Sequence, residues 1–199
     1  MCQPQAYCTI ATMENDKKKG AFIWDLIKFC LISLAIVLPF RLFVAQPFIV
    51  SGLSMFPTFD DGQYLIVDEL TYRFYEPERG DVIIFHFPNN TKEYFIKRIV
   101  GLPGETVAIE GGKVKITNEA NPDGFFLTEP YIEDKLSDTK ATTLDTSHYF
   151  VMGDNRDASY DSRAWGALSK DLIVGRAFIR LVPFKDAGIF PGKFQFTND

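Results

Sequence analysis

A serine in a short apolar turn is the residue in this sequence best placed to do chemistry. Residues 51–58 have the sequence Ser-Gly-Leu-Ser-Met-Phe-Pro-Thr, in which Ser54 stands two positions after a glycine and three before a proline. A hydroxyl on a tight turn can act as a nucleophile if a base elsewhere in the chain removes its proton. Gly52 and Pro57 fit an ordinary turn between strands equally well, so this stretch alone leaves both interpretations open.

The base for such a hydroxyl is usually a histidine, and a lysine is the other option. His86 lies within an apolar, strand-like run and His148 begins another, so nothing favours a Ser-His-Asp triad, although it stays open. In a strand, Lys97 shares a face with Phe95 and Ile99, which predicts burial of its side chain. Burial lowers the pKa of a lysine from about 10.4 toward the 7 to 8 that suits a general base. The competing interpretation places Lys97 on a solvated strand face.

Two polar segments offer further candidates. Residues 137–140 match the Ser-x-x-Lys spacing of penicillin-binding enzymes, but they lack the helix context and the Lys-Thr-Gly partner, so we interpret the match as chance. Residues 152–163 contain six Asp, Asn or Ser side chains and two arginines. This composition predicts either a solvated loop tied by Asp–Arg pairs or a polar support that holds a catalytic lysine in place.

Composition excludes several classes of protein and site. A net charge of -5 argues against a nucleic-acid-binding face, which is basic. The cysteines are Cys2, Cys8 and Cys30, so the rest of the chain lacks a thiol nucleophile, a disulfide and a cysteine metal site. With two histidines and no His-Glu-x-x-His run, a zinc site is not expected either. We therefore expect no metal, no other cofactor and no nucleic-acid partner.

The N-terminal part of the chain has the pattern of a membrane anchor. Residues 1–20 are polar and end in three lysines and a glycine, and residues 21–44 form the one long apolar segment, with its apolar centre at 29–40. As a helix this segment would reach about 36 Å, against about 30 Å of bilayer hydrocarbon. A buried core helix and the apolar region of a cleaved signal peptide are the alternatives.

The lysines before the apolar segment predict its orientation. Positive charges remain on the cytoplasmic side of a membrane. Residues 1–20 would then be a cytoplasmic tail, 21–44 a single-pass anchor in the cell membrane, and 45–199 an extracytoplasmic catalytic domain.

Residues 45–199 have the pattern of a mainly β, antiparallel domain. Short runs rich in Val, Ile, Phe and Tyr are bounded by Gly, Pro, Asn or Asp, as strands are. The predicted strands are Tyr64–Val67, Asp81–Phe87, Tyr94–Val100, Thr106–Ile109, Val114–Thr117, Tyr149–Met152 and Ile173–Val182. Gly111 and Gly112 separate two of them as in a hairpin. Polar residues 118–147 are expected to form a loop or a small extra hairpin, and the residues after Pro183 show no period.

Four motifs in one order resemble the bacterial type I signal peptidase (leader peptidase) family, membrane-anchored serine peptidases that use a Ser/Lys dyad. They are Ser-Met-Phe-Pro-Thr at 54–58, Arg-Gly-Asp-Val-Ile-Ile-Phe at 79–85, Lys-Arg-Ile-Val-Gly-Leu-Pro-Gly-Glu at 97–105, and Gly-Asp-Asn-Arg-Asp-Ala-Ser-Tyr-Asp-Ser-Arg at 153–163. The resemblance extends from the apolar segment to Phe184. It implies an antiparallel, barrel-like β-fold with an N-terminal transmembrane helix, and removal of signal peptides from exported preproteins at the lipid bilayer.

The resemblance also implies roles for individual residues. Ser54 would attack the scissile carbonyl, and Lys97 would take its proton and deliver it to the leaving amine. Ser159 would hydrogen-bond Lys97, while Asp161 and Arg163 would brace the surrounding loop.

The oxyanion of the tetrahedral intermediate needs hydrogen-bond donors. By the resemblance, the Ser54 backbone N–H supplies one of them. Position 52 is glycine, where many Gram-negative members have a serine whose hydroxyl is the second donor, although many Gram-positive members also have glycine there. The identity of the second donor therefore stays open.

The resemblance further implies a substrate that lies extended along a strand edge, with small residues at the first and third positions before the cut. Bulky apolar walls leave shallow pockets, which favour small residues. The positions that match the pocket-shaping residues of the family are Val50, Met55, Phe59, Phe95 and Ile96.

Two other functions compete with a membrane-bound signal peptidase. A self-cleaving repressor or mutagenesis protein shares the dyad and a related β-fold, but such proteins are soluble, so the apolar segment and the acidic balance argue against them. A catalytically silent, membrane-tethered interaction domain would have a broken dyad, whereas both Ser54 and Lys97 are present.

Overall fold

The computed structural model describes residues 22–38, 45–132, 137 and 139–196, and the chain divides into two units, 1–44 and 45–199. In the first unit, residues 22–38 form helix α1, in which every side chain is exposed except Ser33, which is half-buried. Across the described residues, no helix has both the length and the apolar character needed to cross a membrane. The predicted tail, 1–20, and the remainder of the predicted anchor, 21 and 39–44, lie outside the described residues.

The second unit consists of two antiparallel sheets, which confirms the prediction of a mainly β domain. The larger sheet contains β1 (Ala45–Ile49), β2 (Tyr64–Asp68), β3 (Val82–Phe87), β4 (Asn90–Gly101), β9 (His148–Met152), β10 (Leu168–Ser169), β11 (Ile173–Val182) and β12 (Gly188–Ile189). The smaller sheet contains β5 (Thr106–Glu110), β6 (Lys113–Asn118), β7 (Asn121–Phe126) and β8 (Thr139–Thr143). The short helices are α2 (Ser162–Trp165) and the 3-10 turns Thr71–Arg73, Lys170–Leu172 and Phe184–Asp186.

The order of strands in the larger sheet determines which edges are available to a substrate. That order is β1-β2-β11-β3-β4-β9-β10, with β12 paired to β11. Among the described strands, β1 pairs with β2 alone and is the outermost strand at its end of the sheet. Strand β9 pairs with β4 only from Arg98 to Gly101, so residues 91–97 of β4 have one edge without a partner strand in the described part of the chain.

Each predicted strand corresponds to an observed one, and three regions differ from or extend the prediction. Gly111 and Gly112 connect β5 to β6, so the predicted hairpin is confirmed. Residues 118–147 supply strands β7 and β8 to the smaller sheet. Strand β1 was not predicted, and the tail after Pro183 contributes a 3-10 turn and the short strand β12.

Strand β3 is buried on both faces and therefore separates two apolar clusters. Val82 and Ile84 pack into one cluster together with Val50, Met55, Phe59, Leu65, Val67 and Ala177. Ile83 and Phe85 pack on the opposite face with Ile99, Tyr149, Val151 and Leu168. Because side chains alternate along a strand, neighbouring β4 presents its residues to the same two faces in turn. Lys97, which pairs with Ile83, thereby faces the same side as Phe95 and Ile99.

Candidate active site

The structure brings Ser54 and Lys97 together, although 43 residues separate them in the sequence. Lys97 Nζ lies 2.7 Å from Ser54 Oγ and also donates to the Ile96 carbonyl at 2.9 Å. A separation of 2.7 Å is within the range that direct proton transfer between a nucleophile and a base requires. The pair is therefore arranged for general-base activation of a hydroxyl.

The turn that carries Ser54 is tied at both ends. Val50 N donates to the Gln63 carbonyl, and Phe59 N donates to the Met55 carbonyl, each at 2.9 Å. Within the turn, Gly52 has a φ of +88°, a backbone conformation that residues other than glycine rarely adopt. These constraints hold the Ser54 hydroxyl in one position beside β4.

Lys97 is buried, with 4% of its surface exposed, so the interpretation of a solvated lysine is wrong. Burial lowers the pKa of Lys97 to about 8, while the negative charges of Asp161 and Asp154 oppose that shift. With a pKa of about 8, about a tenth of the Lys97 side chains are neutral at pH 7 and about half at pH 8. A neutral amine is the form that can accept a proton from a hydroxyl.

Neither histidine of the chain takes this role in the structure. The His86 ring contacts the Thr91 carbonyl at 2.7 Å, and the His148 ring contacts Asp145 at 2.6 Å. Both rings are thus engaged with other groups of the chain, and the group that contacts the Ser54 hydroxyl is the Lys97 amine.

Asp161 and Arg163 hold the polar loop beside Lys97. Asp161 accepts hydrogen bonds from Gly153 N at 3.0 Å and from Arg163 Nε at 2.8 Å, and it also caps helix α2. Arg163 in turn donates to the carbonyls of Arg156 and Ser159. Burial alone would raise the pKa of Asp161, but the bonds from Arg163 and Gly153 lower it below its ordinary value. The carboxylate therefore stays ionised near Lys97.

The hydrogen bond expected between Ser159 and Lys97 is not formed. Lys97 Nζ donates to Ser54 Oγ and the Ile96 carbonyl instead. The Ser159 hydroxyl lies against Gly153, where an added Cβ would come within 2.3 Å of Ser159 Oγ. The Ser159 hydroxyl is buried and has no hydrogen-bond partner among the described residues.

A groove of about 460 Å³ opens beside the Ser54–Lys97 pair. Its walls come from the end of β1 and the following turn on one side and from residues 93–97 of β4 on the other. Of the residues predicted to shape substrate pockets, Val50, Phe95 and Ile96 line this groove. The open edges of β1 and β4 allow an extended peptide to hydrogen-bond as an added strand.

The prediction that Met55 and Phe59 shape the groove needs correction. Both side chains point inward and are buried, with 1% and 0% of their surfaces exposed, and they pack in the core cluster of the larger sheet. Their contribution is to support the turn from beneath, because the apolar side chains on this segment are drawn into the core.

Several residues of the groove were not predicted. They are Phe48, Ile49, Leu53, Leu65, Ile84, Glu93, Tyr94, Ala158 and Tyr160. One signal was present in the sequence: apolar residues at positions 48 and 50 have the two-residue period of a strand, directly after the predicted anchor. The facing residues of β4 are adjacent to the predicted Phe95 and Ile96.

Comparison with known proteins gives the family. The sequence matches the family described as signal peptidase, peptidase S26, over residues 23–182. The chain belongs to this signal peptidase family. A probable signal peptidase I-1 of Synechocystis sp. is 37% identical over 184 residues, which cover 88% of this chain and 90% of the relative. Signal peptidase I of Leptolyngbya laminosa is 37% identical over 87% of each chain.

A solved structure is also similar to this chain. The crystal structure of a signal peptidase I from Enterococcus faecalis is 30% identical, and the match covers 51% of this chain and 97% of that one with a TM-score of 0.44. Membership of the signal peptidase family makes this chain an enzyme, a serine endopeptidase of the type I signal peptidase class.

Position 52 in this signal peptidase has a defined hydrogen bond. The Gly52 N–H donates to Asp61 Oδ1 at 2.7 Å, so this backbone group is engaged with a carboxylate next to the groove. A Cβ added at position 52 would meet no atom of the described residues within 4 Å, although the positive φ disfavours a side chain there. The glycine is thus required by the backbone of the turn and not by crowding.

Asp154 connects the turn that carries Ser54 to the strand that carries Lys97. Its carboxylate accepts two hydrogen bonds from the buried Arg98 guanidinium, at 2.8 and 2.6 Å, and one from Thr58 Oγ1 at 2.5 Å. Arg98 follows Lys97 in β4, and Thr58 follows Ser54 by four residues. In addition, Asn155 N donates to the Ser54 carbonyl at 3.1 Å. One carboxylate therefore fixes the spacing between the two halves of the site.

We predict that Thr58→Val lowers the turnover number of the enzyme about tenfold and changes KM less than about twofold. The substitution preserves shape but removes the hydrogen bond to Asp154, which loosens the Ser54 turn relative to Lys97, and small misplacements of reacting groups are costly. Steady-state cleavage of a peptide substrate measures both constants. Thr58→Ser retains the hydroxyl and should keep most of the turnover, whereas an unchanged turnover number in Thr58→Val would contradict this role of Asp154.

Proposed function

We propose that this enzyme removes signal peptides from exported preproteins by a Ser54 nucleophile and a Lys97 general base. The observation that carries the proposal is the 2.7 Å contact between a serine hydroxyl and a buried lysine amine whose pKa is lowered to about 8. Membership of the signal peptidase family supports the same substrate class.

The proposed reaction follows from the geometry of the pair. Neutral Lys97 takes the proton of Ser54 as Oγ bonds to the carbonyl carbon before the cut, and the backbone N–H of Ser54 stabilises the oxyanion. The lysine ammonium then gives its proton to the leaving amine as the C–N bond breaks, which leaves an acyl-enzyme. Lys97, neutral again, takes a proton from water as the water oxygen bonds to the ester carbonyl carbon. The bond between that carbon and Ser54 Oγ then breaks, the Lys97 ammonium returns the proton to Ser54 Oγ, and the signal peptide leaves with a C-terminal carboxylate.

The groove supports a substrate with small residues before the cut. Val50, Phe95 and Ile96 line it next to the pair and restrict the depth available to substrate side chains. In the proposed complex the peptide lies extended between the open edges of β1 and β4. The residues before the cut occupy the groove, and the new N-terminus leaves past Lys97.

We predict that Ser54→Ala and Lys97→Ala each reduce cleavage of a preprotein in detergent by about 10³-fold or more. Each substitution removes one member of a pair that acts as a unit, and such losses are large and not additive. Gel analysis of precursor and mature forms measures the effect, with exposed Lys113→Ala as the matched control that should leave cleavage unchanged. Undiminished processing by either active-site variant would refute the dyad.

We also propose that residues 21–44 anchor the enzyme in the cell membrane, with residues 1–20 in the cytoplasm and 45–199 outside. Helix α1 supports this because its apolar side chains are exposed all round, a pattern that suits a lipid environment. On the catalytic domain, Leu53 and Phe56 flank the Ser54 position with 57% and 48% of their surfaces exposed. Such exposed apolar groups near Ser54 suit a site that works at a lipid surface.

We predict that protease added to sealed, right-side-out membrane preparations that retain the cytoplasm digests the domain that begins at residue 45. Positive charges before the anchor keep the N-terminus inside, which leaves the catalytic domain outside. Immunoblotting with a tag at the C-terminus measures the digestion, and a cytoplasmic protein serves as the control for sealing. A domain that resists protease until these preparations are lysed would contradict the proposed topology.

A further inference from the structure

Residues 190–196, the C-terminal segment, lie against the residues that support the active site. The segment follows the part of the chain that matches the signal peptidase family, residues 23–182. At its start, the Phe190 N–H donates to the Phe178 carbonyl of β11 at 2.6 Å. Near its end, Phe196 packs against a buried apolar cluster that includes Val107 and Ile116 of the smaller sheet. The segment is therefore tied to both sheets of the domain.

Between these two ends, Gly192 completes the hydrogen bonds of the buried Arg98 guanidinium. Arg98 Nε and Nη2 donate to the Asp154 carboxylate. The remaining group, Nη1, donates to the carbonyls of Gly80 and Gly192. A buried donor without an acceptor is costly, so these two carbonyls help to hold the ion pair in place. Because Arg98 follows Lys97 in β4, the bond ties the C-terminal segment to the strand that carries the amine.

Gly192 also lies against Thr58, in the turn that carries Ser54. A Cβ added at position 192 would come within 2.5 Å of Thr58 Cγ2 and 3.1 Å of a Phe59 ring carbon. The Thr58 methyl group cannot move alone, because Thr58 Oγ1 bonds Asp154 and rotation about χ1 moves both groups together. A side chain at position 192 would thus displace either the C-terminal segment or the Thr58 hydroxyl.

Phe194 packs on the outer side of the same ion pair. The Arg98 guanidinium carbon lies 4.3 Å from the centroid of the Tyr131 ring, and the Phe194 ring makes an edge contact with Tyr131 at 5.3 Å. A Cβ added at Gly80, which bonds Arg98, would come within 1.9 Å of the Phe194 carbonyl oxygen. The C-terminal segment is therefore packed closely against Arg98 and its neighbours, and a shift of the segment would disturb them.

We propose that Gly192 is a positioning residue for the cleavage reaction. The proposal rests on the proposed function, in which Ser54 and Lys97 act as a pair. Because it has no side chain, Gly192 bonds Arg98 through its carbonyl and leaves the Thr58 hydroxyl on its carboxylate partner. The C-terminal segment thereby holds the turn that carries Ser54 and the strand that carries Lys97 at one spacing.

Gly192→Ala tests this role through steady-state cleavage of a peptide substrate. We expect the turnover number per folded enzyme to fall about tenfold while KM changes less than about twofold, because the reacting groups are misaligned and the groove is unchanged. Circular dichroism and thermal unfolding measure the folded fraction. A role in stability alone would lower the unfolding temperature and leave the turnover per folded enzyme unchanged.

Gly111→Ala, in the hairpin between β5 and β6, is the matched control. Gly192 has a φ of +74° and Gly111 a φ of +59°, so alanine strains the backbone at both positions. A Cβ at Gly111 would meet no atom of the described residues within 4 Å. This variant therefore carries the strain without the contact, and it should keep the wild-type turnover number.

Thr58→Ser supplies the decisive comparison, because it removes the Cγ2 methyl group and keeps the hydroxyl. We expect Gly192→Ala to lower the turnover number less than about threefold in the Thr58→Ser background, against about tenfold in the wild-type background, as for two residues in contact. Phe194→Ala is a second variant, which loosens the C-terminal segment without adding an atom to the core. It should lower the turnover number about threefold with KM unchanged.

The outcomes separate this role from the proposed function. If Ser54→Ala or Lys97→Ala cleaves as well as the wild type, the proposed function fails. If both are inactive but Gly192→Ala has the wild-type turnover per folded enzyme, or raises KM alone, the role of Gly192 is refuted. A loss that is equally large in the Thr58→Ser background also refutes it. If Gly192→Ala does not fold, Phe194→Ala decides, and an unchanged turnover number in that variant refutes the role of the segment.

Discussion

The ion pair between Arg98 and Asp154 is the contact on which the arrangement of this site depends. Arg98 and Asp154 are buried, with 1% and 3% of their surfaces exposed, and Arg98 also donates to the carbonyls of Gly80 and Gly192. The pair connects strand β4, which carries Lys97, to the loop after β9, while Thr58 connects the same carboxylate to the turn of Ser54. Removal of one partner from such a pair leaves a buried charge and costs about 3–5 kcal/mol.

The same domain contains other ion pairs between an arginine and a carboxylate. Arg156 bonds Glu129, Arg163 bonds Asp161, and Arg79 bonds Glu105 with two hydrogen bonds. The fixed planar fork of arginine matches a carboxylate, so each pair fixes an orientation as well as a charge. Lys97 differs from these arginines, because its buried amine donates to a hydroxyl and a carbonyl and bonds no carboxylate in the described part of the chain. The fold therefore stabilises its permanent cations and leaves one amine in surroundings that favour the neutral form.

Much of this site could be predicted from residue types and spacing. Two-residue alternation placed Lys97 on an apolar face with Phe95, and the glycine and proline around Ser54 indicated a turn. The inward direction of Met55 and Phe59 could not be predicted, because in an irregular segment no period distinguishes a groove wall from the core beneath it. The missing hydrogen bond between Ser159 and Lys97 and the groove between β1 and β4 both depend on segments that are far apart in the sequence. Such arrangements arise from long-range packing, which local patterns do not encode.

In the proposed function, Lys97 acts as a base because its burial lowers the pKa of its amine. Titration of the enzyme with isotopically labelled lysine, followed by NMR, measures that pKa directly, and Lys97→Met identifies the resonance by its loss. We expect a midpoint of about 8 for Lys97, with more of the neutral amine and faster cleavage as the pH rises through that value. A midpoint near 10.4, the ordinary value for a solvated lysine, would contradict it.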